Sequence, residues 1–134
     1  MIEVTILTPS GLYKKTSASI INVVSEDGPR GILPRHMPIV VALITSKMTM
    51  QEGDVRETYA IDGGTLYMHD DQCTILTQAI ENVRDIDKNR ALEAKKRAEE
   101  RLHSKNEDID ISRAKAALSR ALNRLRTVEP QENH

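Results

Sequence analysis

Residues 85–91, DIDKNRA, return 23 residues later as residues 108–114, DIDISRA. The echo runs on: Arg97-Ala98 returns as Arg120-Ala121, and Arg101-Leu102 returns as Arg124-Leu125. This stretch decides the fold because the hydrophobic period changes there. After about residue 86 there is no glycine, and no proline until Pro130. Residues 88–104 and 111–127 are rich in Ala, Leu, Glu, Lys and Arg, all strong helix formers. Asp87 and Asp110 each stand where an N-cap belongs, with a carboxylate to accept from free backbone N–H groups and to meet the positive end of the helix dipole. His103-Ser104-Lys105-Asn106 is the expected break, and a short loop there makes the two helices antiparallel neighbours. Residues 128–134 are expected to fray.

On a helical wheel at about 100° per residue, Ala91, Ala94, Lys95, Ala98 and Leu102 fall in one narrow band. Ala114, Ala117, Leu118, Ala121 and Leu125 do the same in the second helix. Arg90, Arg97 and Arg101 run along one edge of the first band, and Arg113, Arg120 and Arg124 along the matching edge of the second. Packed face to face, the bands bring both rails to one face of the hairpin. One reading is a solvated face, with arginine stems over apolar surface and i,i+4 partners such as Glu93–Arg97. The other is a trough for an anion. Residues 111–126 hold five basic side chains and no acid, and all six rail positions are arginine rather than lysine. That choice suits bidentate recognition of phosphate or carboxylate. Alanine seams bury little area, at about 0.8 kcal/mol per CH₂, so the hairpin is expected to open readily and an anion between the rails to favour its closed form.

Upstream, residues 1–84 read as short strands. Residues 2–7 alternate, and Thr8-Pro9-Ser10-Gly11 reads as a turn. Residues 19–24 form an apolar run closed by Glu26-Asp27-Gly28-Pro29, and residues 39–44 look like a strand buried on both faces. Residues 47–51 and 55–61 flank Glu52-Gly53-Asp54, a hairpin signal. Asp62-Gly63-Gly64 and Asp70-Asp71-Gln72 punctuate strands at 65–69 and 73–77. The expectation is a mainly β, α+β chain: a β-sandwich over 1–84 and a two-helix hairpin over 85–134.

Composition narrows the function. The 134 residues carry a net charge of −1, so no global field points to nucleic acid or anionic lipid. The single cysteine, Cys73, excludes an internal disulfide. MIEVTILTPSG, with an acid at position 3 and no long apolar run, is not expected to act as a signal peptide, and no stretch approaches the ~20 apolar residues of a membrane span. His36, His69, His103 and His134 share no metal-ligand spacing. No nucleophile–base set and no phosphate-loop motif is visible, and three tyrosines are too scattered for a base-stacking platform.

Gly31-Ile32-Leu33-Pro34, His36 and Pro38, then Gly63-Gly64, Thr74-Ile75-Leu76, and Asp85-Ile86-Asp87 with Arg90-Ala91 ahead of an Ala/Arg-rich hairpin follow one another in a specific order. In order, spacing and length the chain resembles the ε-subunit family of bacterial F-type ATP synthases, over about residues 2–127. The resemblance implies a sandwich of about ten strands with a C-terminal antiparallel two-helix hairpin. It implies a non-catalytic subunit of the central rotor stalk, peripheral at the cytoplasmic face of the bacterial membrane. Its partners would be the γ subunit, the c-ring and, through the basic second helix, an acidic loop of a catalytic β subunit. It also implies inhibition of ATP hydrolysis when the helices extend.

No cofactor is required, but in some members the folded hairpin binds ATP as a regulatory ligand through an I/L-D-x-x-R-A motif, which Ile86, Asp87, Arg90 and Ala91 satisfy. Carried over with them are Glu81, Arg97, Arg120 and Arg124. The partner contacts carried over are His36, Glu26, Asp27, Arg113, Arg120 and Arg124. Two positions depart from the family. Pro29-Arg30 follow Gly28 where an acid toward the c-ring is common, with Glu26 and Asp27 ahead of the glycine instead. Arg35 stands between Pro34 and His36 where a small or polar residue is usual. The alternatives weighed are a stand-alone nucleotide- or anion-sensing module and a small-molecule-binding β-sandwich enzyme, the latter disfavoured by the missing acid, base or nucleophile.

Overall fold

The computed structural model describes residues 1–103 and 110–132, with side chains described through residue 128. Ser104, Lys105 and Asn106 of the expected break lie outside the described residues, as do Asp108 and Ile109 of the second echo. The chain divides into two compact units, Met1–Asn82 and Val83–His134.

The first unit contains β1 (Ile2–Thr8), β2 (Gly11–Ala18), β3 (Ile21–Ser25), β4 (Gly28–Ile32), β5 (Ile39–Glu52), β6 (Val55–His69), β7 (Gln72–Leu76) and β8 (Ile80–Asn82). They bond in the order β2-β1-β7-β6-β5-β3-β4, with β8 on β6. Among the described residues, only β1 and β7 pair parallel. β5 and β6, with 14 and 15 residues, are more than twice the usual strand length.

Both long strands change phase midway. Along β5 the large apolar side chains buried in the core are Val41 and Leu43, then Met48 and Met50; along β6 they are Tyr59 and Ile61, then Leu66 and Met68. At the change, the ladder steps from Leu43↔Gly64 to Thr45↔Asp62, and Gly63 and Gly64 have φ of 67° and 130°. A strand that keeps its apolar side on a core while changing phase must turn over there. Each strand therefore serves two layers: one end lies with β7, β1 and β2, the other with β3 and β8. Counted by their two legs, β5 and β6 make ten strands of the eight. Without Phe or Trp in the chain, the core is aliphatic and methionine-rich around Ile2, Ile6, Ile21, Met48, Leu66 and Ile75, with Tyr59 fully buried.

β2, β4 and β8 have no counterpart among the expected strands. β2 buries only Ala18 and carries Lys14 and Lys15, as sheet edges do to avoid pairing with other chains. β4, Gly-Pro-Arg-Gly-Ile, buries only Ile32 and is the opposite edge, where proline's missing donor is tolerated. β8 is three residues long. The hairpin expected around Gly53 is present: Glu52 pairs with Val55, and Gly53 has φ 65° at the first loop position.

A 3₁₀ turn, Val83–Asp85, opens the second unit, followed by α1 (Lys88–His103) and α2 (Ile111–Glu132). Both expected caps form. Asp87 Oδ1 accepts from the Arg90 backbone N–H at 3.2 Å, and Asp110 Oδ1 from that of Arg113 at 3.1 Å. The alanine seams are buried: Ala91, Ala98, Ala114 and Ala121 are all at most 2% exposed. Arg101 near the end of α1 lines one cleft with Asp110, Arg113 and Ala114 at the start of α2, so the helices run antiparallel. Residues 128–132, expected to fray, continue α2.

Candidate functional site

The repeated I-D-x-x-R-A unit has a local structural role. With Asp87 as N-cap, Ile86 precedes the helix, Arg90 is its third residue and Ala91 its fourth. The Asp87 side chain takes the N–H of Arg90, and its carbonyl takes that of Ala91 at 3.0 Å. Ile86 and Ala91 occupy the two positions that a hydrophobic staple uses; Ile86 is half-buried and Ala91 is 0% exposed. In the second copy Asp110 caps in the same way, and the Ala114 N–H bonds the Asp110 carbonyl at 3.1 Å.

The arginine rails are gathered in part. Arg101, Arg113 and Arg120 line an open cleft of about 530 Å³ between α1 and α2, floored by Ala114, Ala116 and Ala117 and edged by Asp110. Arg90 and Arg97 are exposed and are not among its lining residues. Arg124 is half-buried, its Nε closed off from solvent. The wheel placed all six arginines on matching edges; it did not reveal that Arg101, Arg113 and Arg120 alone line a cleft at the loop end, with Asp110 at its edge. Glu81 lies on β8 in the sandwich unit and is half-buried.

Of the expected partner contacts, Arg113, Arg120 and Arg124 lie on α2, and Glu26, Asp27 and His36 on sandwich loops. Glu26 and Asp27 are the exposed two-residue link between β3 and β4, where Ser25 pairs with Gly28 and the Ser25 hydroxyl accepts from the Asp27 N–H at 3.2 Å. His36 lies in the β4–β5 loop. Its N–H reaches the Leu33 carbonyl at 3.2 Å, and its Nδ1 lies 2.7 Å from the Met37 carbonyl. The neighbouring Leu33 and Met37 are 55% and 78% exposed.

A buried polar cluster was not foreseen. Glu52 accepts from the Thr16 hydroxyl at 2.7 Å and the Tyr59 hydroxyl at 2.8 Å, and pairs with the Lys14 ammonium at 2.9 Å. Burial, opposed by the Lys14 hydrogen bond and aided by Glu52, pushes the Tyr59 phenol up to about 12. Burial pulls the Lys14 ammonium down, but its bonds to Tyr59 and Glu52 prevail and hold it above the ordinary lysine range. The cluster joins strands 36 or more residues apart in sequence, so no local pattern announces it. Burial alone lifts the Cys73 thiol to about 12, which leaves it a poor nucleophile. Among the described residues no group of three or more His, Cys, Asp or Glu could hold a metal ion. No described helix is long and apolar enough to cross a membrane.

A β-sandwich followed by a capped, alanine-seamed helical hairpin defines a two-domain class of chain. Residues 1–83 match the family model of the ATP synthase delta/epsilon chain β-sandwich domain, and residues 84–129 that of the delta/epsilon chain long α-helix domain. The chain belongs to the ATP synthase delta/epsilon family. It is 44% identical to the ATP synthase epsilon chain of Bacillus velezensis over 124 residues, covering 92% of this chain and 94% of that one. It is 37% identical to that of Caldicellulosiruptor saccharolyticus over 131 residues, covering 98% and 96%. Its fold resembles a chain in the Euglena gracilis mitochondrial ATP synthase structure of OSCP, F1 and c-ring, with a TM-score of 0.73, 22% identity and coverage of 98% and 79%. A chain in the Tetrahymena thermophila mitochondrial ATP synthase central stalk and c-ring gives a TM-score of 0.58 at 16% identity, covering 97% and 95%.

Proposed function

We propose that this chain is a non-catalytic rotor subunit of the central stalk of an F-type ATP synthase, whose helical hairpin binds ATP as a regulatory ligand and whose extended helices restrain ATP hydrolysis. The stalk assignment is supported by family membership over both domains and by curated relatives named epsilon chain. In this reading the sandwich docks on the γ subunit and c-ring through loops that include Glu26, Asp27 and His36. The basic face of α2, with Arg113, Arg120 and Arg124, meets an acidic loop of a catalytic β subunit. The complex holds the chain at the cytoplasmic face of the membrane.

The observation that carries the ligand assignment is the cleft between α1 and α2, where Arg101, Arg113 and Arg120 stand over an alanine floor. Three guanidinium groups around one opening repel one another, so a polyphosphate there relieves repulsion and gains charge-assisted hydrogen bonds. ATP would therefore bind the closed hairpin more tightly than the open one, and that difference sets the population shift. The ligand set that the resemblance implies on the hairpin unit is Ile86, Asp87, Arg90, Ala91, Arg97, Arg120 and Arg124, of which Arg120 also lines the cleft.

Titration of ATP into the isolated chain should give saturable binding that weakens on Arg90→Ala and on Arg120→Ala. Unchanged affinity in both variants would refute the site. In the assembled complex, deletion of residues 108–134, or replacement of Arg113, Arg120 and Arg124 by Ala, should raise ATP hydrolysis. No rise would contradict the inhibitory role.

A further inference from the structure

Among the described residues, three that are not glycine have a left-handed backbone: Arg35 at φ 63°, Asp70 at 49° and Asp71 at 59°. Two of them, Arg35 and Asp71, meet at one contact. The backbone N–H of Arg35 donates to Asp71 Oδ1 at 2.6 Å. Asp70 and Asp71 form the two-residue turn between β6 and β7, with His69 pairing Gln72. Positive φ at both central positions is the type I′ arrangement, for which Asp-Gly is a preferred pair. The turn alone would be served better by glycine at 71. What aspartate supplies there is a carboxylate that reaches a loop 36 positions earlier. Its backbone is fixed from the other side, since the Asp71 carbonyl accepts from the Glu3 N–H at 2.8 Å.

A left-handed residue favours glycine or a short polar side chain, so arginine at position 35 needs support from outside its own backbone. The loop has little else to hold it: Pro34 and Pro38 have no N–H to donate, and the His36 N–H bonds only within the loop. Yet it presents Leu33 and Met37, 55% and 78% exposed, beside His36. Strain kept at a partner-facing loop by a distant side chain is a known form of preorganisation.

We infer that Asp71 is a positioning residue for docking: its carboxylate clamps Arg35 left-handed, so that Leu33, His36 and Met37 meet the stalk partner in a preformed loop. This rests on the proposed docking role of the loop carrying His36.

The decisive variant is Asp71→Gly, which keeps the type I′ turn and removes only the carboxylate. Amide hydrogen exchange at Arg35 and His36 in the full chain should speed up by about tenfold or more, the factor a charge-assisted hydrogen bond supplies. Release of the chain from the assembled stalk complex should also quicken. Asp71→Asn, which retains Oδ1 and tolerates positive φ but gives only a neutral acceptor, should restore part of both readouts. Arg35→Gly added to Asp71→Gly should recover part of the slow release, because glycine reaches positive φ without help. Unchanged exchange in Asp71→Gly overturns the clamp. Faster exchange with unchanged release overturns the positioning role; His36→Ala and Met37→Ser then report separately on the docking reading, which has failed if they too leave release unchanged.

Discussion

The Tyr59 hydroxyl donates to Glu52 Oε2 at 2.8 Å from a ring that is 0% exposed. The bond joins the two strands of the long hairpin, and its neighbours tie the edge strand β2 to it: Thr16 donates to the other Glu52 oxygen, and Lys14 donates to the Tyr59 hydroxyl at 2.9 Å. The two ends of the bond are unequal. Tyr59→Phe removes one donor and leaves Glu52 with Thr16 and Lys14, so it should cost about 1–2 kcal/mol. Glu52→Ala takes the acceptor from three donors at once and should cost about 3 kcal/mol or more. Urea unfolding of the sandwich should rank them in that order; equal midpoints would contradict the network.

Two buried groups set the alkaline limit. Tyr59 is lifted from 10.0 to about 12 and Cys73 from 9.0 to about 12, each chiefly by burial. Both folded values lie above the unfolded ones, so the unfolded chain releases its protons first as pH rises. Their contribution is complete below the unfolded values and drains away as pH climbs from about 9 toward 12. Between pH 7 and 8 these two groups should leave stability flat. Cys73→Ser and Tyr59→Phe should each flatten the decline above pH 9, read as unfolding midpoint against pH.

Gly64 faces the β7 backbone so closely that an added Cβ would collide with the Leu76 carbonyl oxygen, and its φ is 130°. A backbone atom cannot step aside as a side chain can. Gly64→Ala should therefore cost about 3 kcal/mol or more through combined overlap and backbone strain. Gly63→Ala carries the strain of φ 67° but meets only ordinary contact with the Leu43 carbonyl at 3.4 Å, and should be milder. Thermal unfolding of the pair checks the order.

Where the period lay within one element, the fold could be read from sequence: the strand-to-helix change near residue 86, both aspartate caps and the alanine seams. What could not be read required partners far apart in the chain. β2 and β4 have too few inward apolar residues to show a pattern, because edge strands bury little. The phase changes in β5 and β6 break the alternation used to find strands. At the candidate site, helical spacing placed six arginines on matching edges, but position along the helices selected Arg101, Arg113 and Arg120 for the cleft. Arg35 was visible as a departure from family pattern; its bond to Asp71 was not.

The two caps allow helix formation to be separated from ligand binding. Asp87→Ala and Asp110→Ala each remove a carboxylate from an N-cap and should each cost the hairpin about 1 kcal/mol. Asn caps as well as Asp, so Asp87→Asn and Asp110→Asn should restore most of the helicity seen by circular dichroism. If Asp87 also contacts ATP through its charge, Asp87→Asn should keep the helix and still lose affinity, whereas Asp110→Asn should lose neither. Equal affinities in the two Asn variants would confine Asp87 to capping.

Ala98 and Ala121, each 2% exposed, test what the seam is for. Packing on alanine brings two helix backbones close with little apolar burial, which suits the opening proposed for this hairpin. There is no room for a larger side chain without separating the helices. Ala98→Leu should therefore destabilise the closed hairpin by about 1–3 kcal/mol, while Leu92, 45% exposed on the same helix, should tolerate Leu92→Ala with little change. Because the closed form is the one proposed to bind ATP, Ala98→Leu should weaken ATP binding by the factor by which it lowers the closed fraction, at most the free energy removed from closure. Urea unfolding of the sandwich should stay unchanged. If ATP affinity survives Ala98→Leu while hairpin helicity falls, binding does not depend on closure.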